Sequence, residues 1–101
     1  MTKDEMLEVV KDAAVFYGFD HQMLKLIEEL GELSREVVKM LLEETDFGID
    51  HFFEEWADVL ILLDQMRVFL PAADDRVEYW YEKKIARLSC RMAEEKAEYD
   101  I

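Results

Sequence analysis

The residues best placed to do chemistry in this chain are carboxylates at helical spacing. EELGELSREV, residues 28–37, puts Glu28, Glu29, Glu32 and Glu36 within little more than two turns of a helix. A second acidic pair, Glu55 and Asp58, follows in the stretch FFEEWADVLILLDQMRVFL. Side chains three apart on a helix project in nearly the same direction. Glu29/Glu32 and Glu55/Asp58 are therefore two-pronged oxygen donors, provided that their helices lie side by side. Taken alone, the first of these helices is an ordinary amphipathic one, and a solvated acidic face is the better explanation of its pattern. The second helix favours a site, because its surroundings are apolar on nearly every side and carboxylates there are costly to bury without a positive partner. Between Lys39 and Arg76 the only basic residue is Arg67, which falls on another face. A divalent cation is the economical partner, and all-oxygen ligation suits Mg²⁺ or Mn²⁺ better than Zn²⁺.

The elements that must position these groups are helices. Of 101 residues only three are Gly and one is Pro, while half are hydrophobic, so long helices with short connections are expected in one all-α domain spanning 1–101. The pattern predicts a helix over 3–17, ended by Gly18, and a second over about 21–44 with Asp20 as its N-cap. A turn over 45–50 leads to a third helix reaching about residue 70, with Asp50 as its cap. Pro71 stops it, and Asp74 or Asp75 opens a fourth helix towards Glu98. Met23, Leu26, Ile27, Leu30, Leu33, Val37, Val38 and Leu41 give the second helix a broad apolar arc opposite its acids. The short connection makes the second and third helices antiparallel neighbours, so the two acidic pairs converge.

Charge and processing signals narrow the function classes. Twenty-five acids against twelve Lys and Arg leave a net charge of −13, which argues against non-specific nucleic-acid binding and against anionic membrane surfaces. A polyanionic ligand would need a cation as mediator. The single Cys90 excludes an intramolecular disulfide and reads as a small residue on a C-terminal helix rather than a nucleophile. With no signal-peptide layout at the start and no membrane-length apolar run, a cytoplasmic protein is expected.

Glu29-Leu-Gly-Glu32, a 22-residue spacer and Glu55-Trp-Ala-Asp58 resemble the E-x-x-E…E-x-x-D signature of MazG-like all-α nucleoside triphosphate pyrophosphohydrolases. The flanks EELGEL and EEWADVLILLDQ look like that family's wording, and the likeness covers roughly residues 20–70. It implies a four-helix bundle-like fold, assembled as a homo-oligomer (dimer or tetramer). The implied reaction takes a (d)NTP and water to the monophosphate and pyrophosphate, for nucleotide-pool control or removal of non-canonical nucleotides. Mg²⁺ or Mn²⁺ held by Glu29, Glu32, Glu55 and Asp58 would offset phosphate charge, and Glu28 is the candidate to orient the attacking water. Lys25, one turn before Glu29, and Lys83, Lys84 and Arg87 on the fourth helix are candidates for the phosphates, against ordinary surface pairing.

Other residues are weighed against plainer roles. Glu54 reads as a solvated or capping acid in its helix's first turn, and His21 and His51 as solvated first-turn residues. Neither histidine completes a Glu-x-x-His motif, which disfavours a di-iron site. Phe52, Phe53 and Trp56 could stack on a base, but aromatics at this spacing more often pack a core, as do Trp80 and Tyr81. Asp64 interrupts an apolar face and belongs either to a subunit interface or to a nucleotide pocket. The competing class is an acidic helical binding module, either a DNA-mimic inhibitor or a silent nucleotide-binding relative. Charge reversal at Glu43 or Glu94 would matter to a mimic and hardly at all to an enzyme.

Overall fold

A computed structural model describes residues 1–43 and 48–99 and is all-α, with four helices in the described residues: α1 Lys3–Tyr17, α2 Phe19–Leu41, α3 Ile49–Phe69 and α4 Ala73–Tyr99. The expected end of the second helix at Glu44 and the start of the turn at Thr45 lie outside the described residues. The chain divides into two compact units, Met1–Leu70 and Pro71–Ile101.

In the first unit α1 begins with a capping box. Thr2 Oγ1 accepts the Glu5 N–H at 3.1 Å, and the Glu5 carboxylate accepts the Thr2 N–H at 3.4 Å. Gly18 separates α1 from α2 with φ 82° and ψ 168°, a backbone region essentially reserved for glycine. It caps both helices at once: its N–H donates to the Ala14 carbonyl at 2.9 Å, and its own carbonyl accepts the Gln22 N–H at 3.1 Å. Asp20 and Asp50, expected as caps, instead lie in the first turns of α2 and α3, where a carboxylate complements the helix dipole. The caps are Gly18 and Gly48, and neither has a side chain to offer.

α3 packs against both α2 and α1, and α1 packs against α2. The α2/α3 pair is antiparallel: Phe19, at the start of α2, meets Phe69, at the end of α3, edge to face with centroids 5.4 Å apart. Among the described residues the buried apolar ones are few, namely Ala14, Val59 and Leu62. The broad arc on α2 is only partly covered. Met23, Leu26 and Leu33 are half-buried, whereas Ile27, Leu30, Val37, Val38 and Leu41 are exposed. One helix pair can enclose only the sides that face each other, so an arc this wide keeps its flanks in solvent.

The second unit is α4, described by itself. Beyond Ala73 its described residues are exposed, including Trp80, Tyr81, Ile85, Leu88 and Cys90. No helix among the described residues is long and apolar enough to cross a membrane.

A candidate metal centre between α2 and α3

Glu29 comes from α2, while Glu55 and Asp58 come from α3. One carboxylate oxygen from each lies within 4.8 Å of the others, and all three residues are half-buried. Three anionic groups do not gather at that distance without a cost, and Glu55 carries it. Its Oε2 is buried and has no hydrogen-bond partner among the described residues. Its pKa is raised above the ordinary carboxyl value, first by burial, then by a hydrogen bond with Glu29 that exists only while one of the two acids holds a proton, and then by the charges of Glu29, Asp58 and Glu32. Glu32 is half-buried beside this trio and contributes its field without joining the three converging oxygens.

The register that brings the acids together is visible two turns away. Gln22 Nε2 donates to Gln65 Oε1 at 2.6 Å, with both residues buried. Gln22 precedes Glu29 by seven residues and Gln65 follows Asp58 by seven, so each lies on its acid's face of the helix, about 10 Å along it. The Gln22 side-chain carbonyl accepts from His21 Nδ1 at 2.7 Å, which orients the amide. His21 in turn stacks on Tyr17, with centroids 4.9 Å apart and planes 16° from parallel. His21 is exposed at the helix start as expected, yet it is tied into this network. Neither glutamine was singled out from the sequence, because an amide on one amphipathic helix looks like any surface residue. The mirrored seven-residue intervals were the available signal.

Of the remaining candidates, Lys25 stands beside the trio. Lys25 Nζ is 3.4 Å from Glu29 and 3.4 Å from Glu28, and those two carboxylates raise its pKa, the Glu29 hydrogen bond most. Glu28 is exposed at the edge of the cluster. Glu36 is half-buried and pairs with Lys39 at 3.7 Å. Glu54 is exposed but lies in the second turn of α3, not the first, because that helix starts at Ile49; its Oε2 is 3.7 Å from His51 Nδ1. Asp64 accepts from Arg67 Nη1 at 2.6 Å, an i,i+3 pair within one helix, which accounts for an acid on an apolar face. Trp56 and Phe53 are about half exposed, and Phe52 packs edge-on to Trp56 at 5.7 Å. Lys83, Lys84 and Arg87 belong to α4 in the second unit, all three exposed, with Lys83 Nζ 4.9 Å from the Tyr79 ring centre.

Set against protein-family models, curated proteins and solved structures, the chain matches none.

Proposed function

We propose that this chain is a metal-dependent nucleoside triphosphate pyrophosphohydrolase of the MazG-like kind, converting a (d)NTP and water to the monophosphate and pyrophosphate. The observation that carries the reading is the convergence of Glu29, Glu55 and Asp58 from two helices, with the Glu55 Oε2 buried and without a hydrogen-bond partner among the described residues. Such an oxygen calls for a cation or a proton, and a hard divalent ion fits a donor set made only of carboxylates. When bound, Mg²⁺ or Mn²⁺ would supply charge neutralisation for the phosphates and polarise the phosphorus under attack.

The chain's own residues divide the rest of the work. Glu29, Glu55 and Asp58 hold the ion, and Glu32 adds negative potential from one turn along α2. Lys25, already against Glu28 and Glu29, meets phosphate charge at the open edge. Glu28 orients the attacking water and accepts its proton. The resemblance also gives Lys83, Lys84 and Arg87 of α4 a phosphate-binding role. The protein works in the cytoplasm as a homo-oligomer, dimer or tetramer, and handles nucleotide pools or non-canonical nucleotides. Its net charge of −13 sets it against nucleic acid and anionic membranes as partners.

The test is pyrophosphate release from a panel of NTPs and dNTPs with Mg²⁺ or Mn²⁺, comparing wild type with Glu55→Gln. Metal-dependent release that the substitution abolishes supports the enzyme. A folded, metal-loaded protein that releases nothing from any nucleotide moves the reading to the acidic binding module.

A further inference from the structure

The Gln22–Gln65 pair also holds a ring in place. His21 is exposed, yet it is fixed on two sides: Nδ1 donates to Gln22 Oε1 at 2.7 Å, and one face of the ring lies on Tyr17, with planes 16° from parallel. Gln22 is buried and engaged at both ends of its amide, since its Nε2 donates to Gln65 Oε1. Holding an exposed side chain in one orientation costs rotamer entropy. The acidic site makes no use of this ring. Tyr17 covers one face, and the exposure of His21 leaves the other open to a ligand.

Position gives that face a use. His21, Lys25 and Glu29 follow one another at four-residue intervals on α2. Each lies about 6 Å further along the helix than the last and about 40° round from it. Lys25 Nζ reaches Glu29 at 3.4 Å, which links the middle group to the trio. The stripe therefore runs flat ring, ammonium, carboxylate of the trio, and a nucleotide runs base, sugar, phosphate in the same direction. We propose that His21, backed by Tyr17, stacks on the base of the nucleoside triphosphate, with Gln22 and Gln65 as the positioning residues that hold it. The inference rests on the proposed function and deepens it by naming how the base is selected. The amide beside the ring is buried and already paired, so the platform offers a face rather than a hydrogen-bonding edge. Stacking tolerates any base, because every base has a π-face. The site accordingly accepts all bases and favours purines for their larger ring area. The aromatic residues at the start of α3 are arranged differently. Phe52 lies 57° from the Phe53 plane and 75° from the Trp56 plane, so neither backs it as Tyr17 backs His21. Trp56 is also turned about 100° from Glu55 and about 160° from Asp58 around the helix.

Titration calorimetry on the full chain with Mn²⁺ tests this, with far-UV circular dichroism alongside. The probes are α,β-methylene-dATP, α,β-methylene-dCTP and tripolyphosphate, and the methylene bridge lets nucleotide binding be read without turnover. Wild type is compared with His21→Phe, His21→Leu and Trp56→Ala. Phe and Leu at position 21 both lose the bond to Gln22 and both keep bulk, but only Phe keeps a flat face. Wild type should bind the dATP analogue more tightly than the dCTP analogue. His21→Leu should weaken both nucleotides by at least about fivefold, the low end for one stacked base, and leave tripolyphosphate within about twofold. His21→Phe should hold the nucleotides much closer to wild type, and Trp56→Ala should leave all three probes unchanged. Wild type that binds none of the probes overturns the inference and the proposed function together. Equal nucleotide affinities for His21→Phe and His21→Leu overturn the inference alone. So does a His21→Leu loss that is as large for tripolyphosphate, because His21 would then act on the ion site, and so does a nucleotide loss in Trp56→Ala. If the His21 variants lose helical signal, the wild-type order decides, and a dCTP analogue bound as tightly as the dATP analogue overturns the inference.

Discussion

Gln22 donates to Gln65 across the α2/α3 seam at 2.6 Å, one buried amide reading another from the opposite helix. An apolar seam tolerates sliding, whereas a paired amide buried in it does not, because a shifted register leaves donors and acceptors without partners. Replacing Gln22 or Gln65 singly by Leu should destabilise the protein by about 1–3 kcal/mol, the cost of orphaning the remaining amide. Replacing both by Leu should restore most of that stability while releasing the register. Urea unfolding together with Mn²⁺ titration checks this. The double variant should unfold near the wild-type midpoint yet bind Mn²⁺ at least several-fold more weakly. A stable double variant with undiminished affinity would mean that the pair positions nothing.

The acids should not contribute equally. Glu29, Glu55 and Asp58 converge, Glu32 stands beside them, and Glu28 is exposed next to Lys25. Neutralising any of the trio should weaken Mn²⁺ binding by at least tenfold, equivalent to about 1.4 kcal/mol. Glu32→Gln should cost less, and Glu28→Gln should change affinity by less than about twofold because its charge is screened by solvent. Electron paramagnetic resonance of free Mn²⁺ reads the series directly. If Glu32 proves as costly as Asp58, Glu32 would hold the ion together with the trio.

The raised pKa of Glu55 sets a sign for the pH dependence. Its ordinary value is 4.5 and the folded value is higher, so the folded state keeps a proton that the unfolded chain has released. Above 4.5, rising pH therefore removes stability until the folded group has also ionised, and below 4.5 that penalty is absent. Thermal melts in a chelator, from acid to neutral pH, should show wild type losing ground relative to Glu55→Gln across this window. Added Mn²⁺ should reverse the order near neutral pH, because the ion takes the place of the proton.

Two glycines should behave oppositely. A Cβ at Gly31 meets nothing within 4 Å and the backbone is helical, so Gly31→Ala should stabilise by roughly 0.5–1 kcal/mol. Gly18 has equal room, but its φ of 82° strains any side chain, so Gly18→Ala should cost about 1–3 kcal/mol. Melting temperatures decide both.

The helices were largely legible because their punctuation is local. Gly18, Pro71 and the 3.6-residue period act on a few neighbouring residues, and α1 runs over the span that its pattern predicts. The pairing of Glu29 with Glu55 and Asp58 was legible from two short intervals. The caps were not, because at Gly18 and Gly48 the backbone alone begins the helix while nearby Asp20 and Asp50 advertise themselves as caps. Asp64 was obscured for a different reason: Arg67 was weighed only as a partner for Glu55 and Asp58, whereas it lies within reach of Asp64, three residues before it. Burial was the least legible, since an apolar position says that it will be covered without saying by which helix.

The two intervals of seven have a consequence for how this sequence can drift. Inserting or deleting one residue between Gln22 and Glu29, or between Asp58 and Gln65, turns everything beyond it by about 100° and uncouples amide from acid. A change in length between Leu41 and Ile49 turns neither helix about its own axis. Kin of this chain should therefore keep the two mirrored sevens more strictly than the length of the gap separating the acidic pairs.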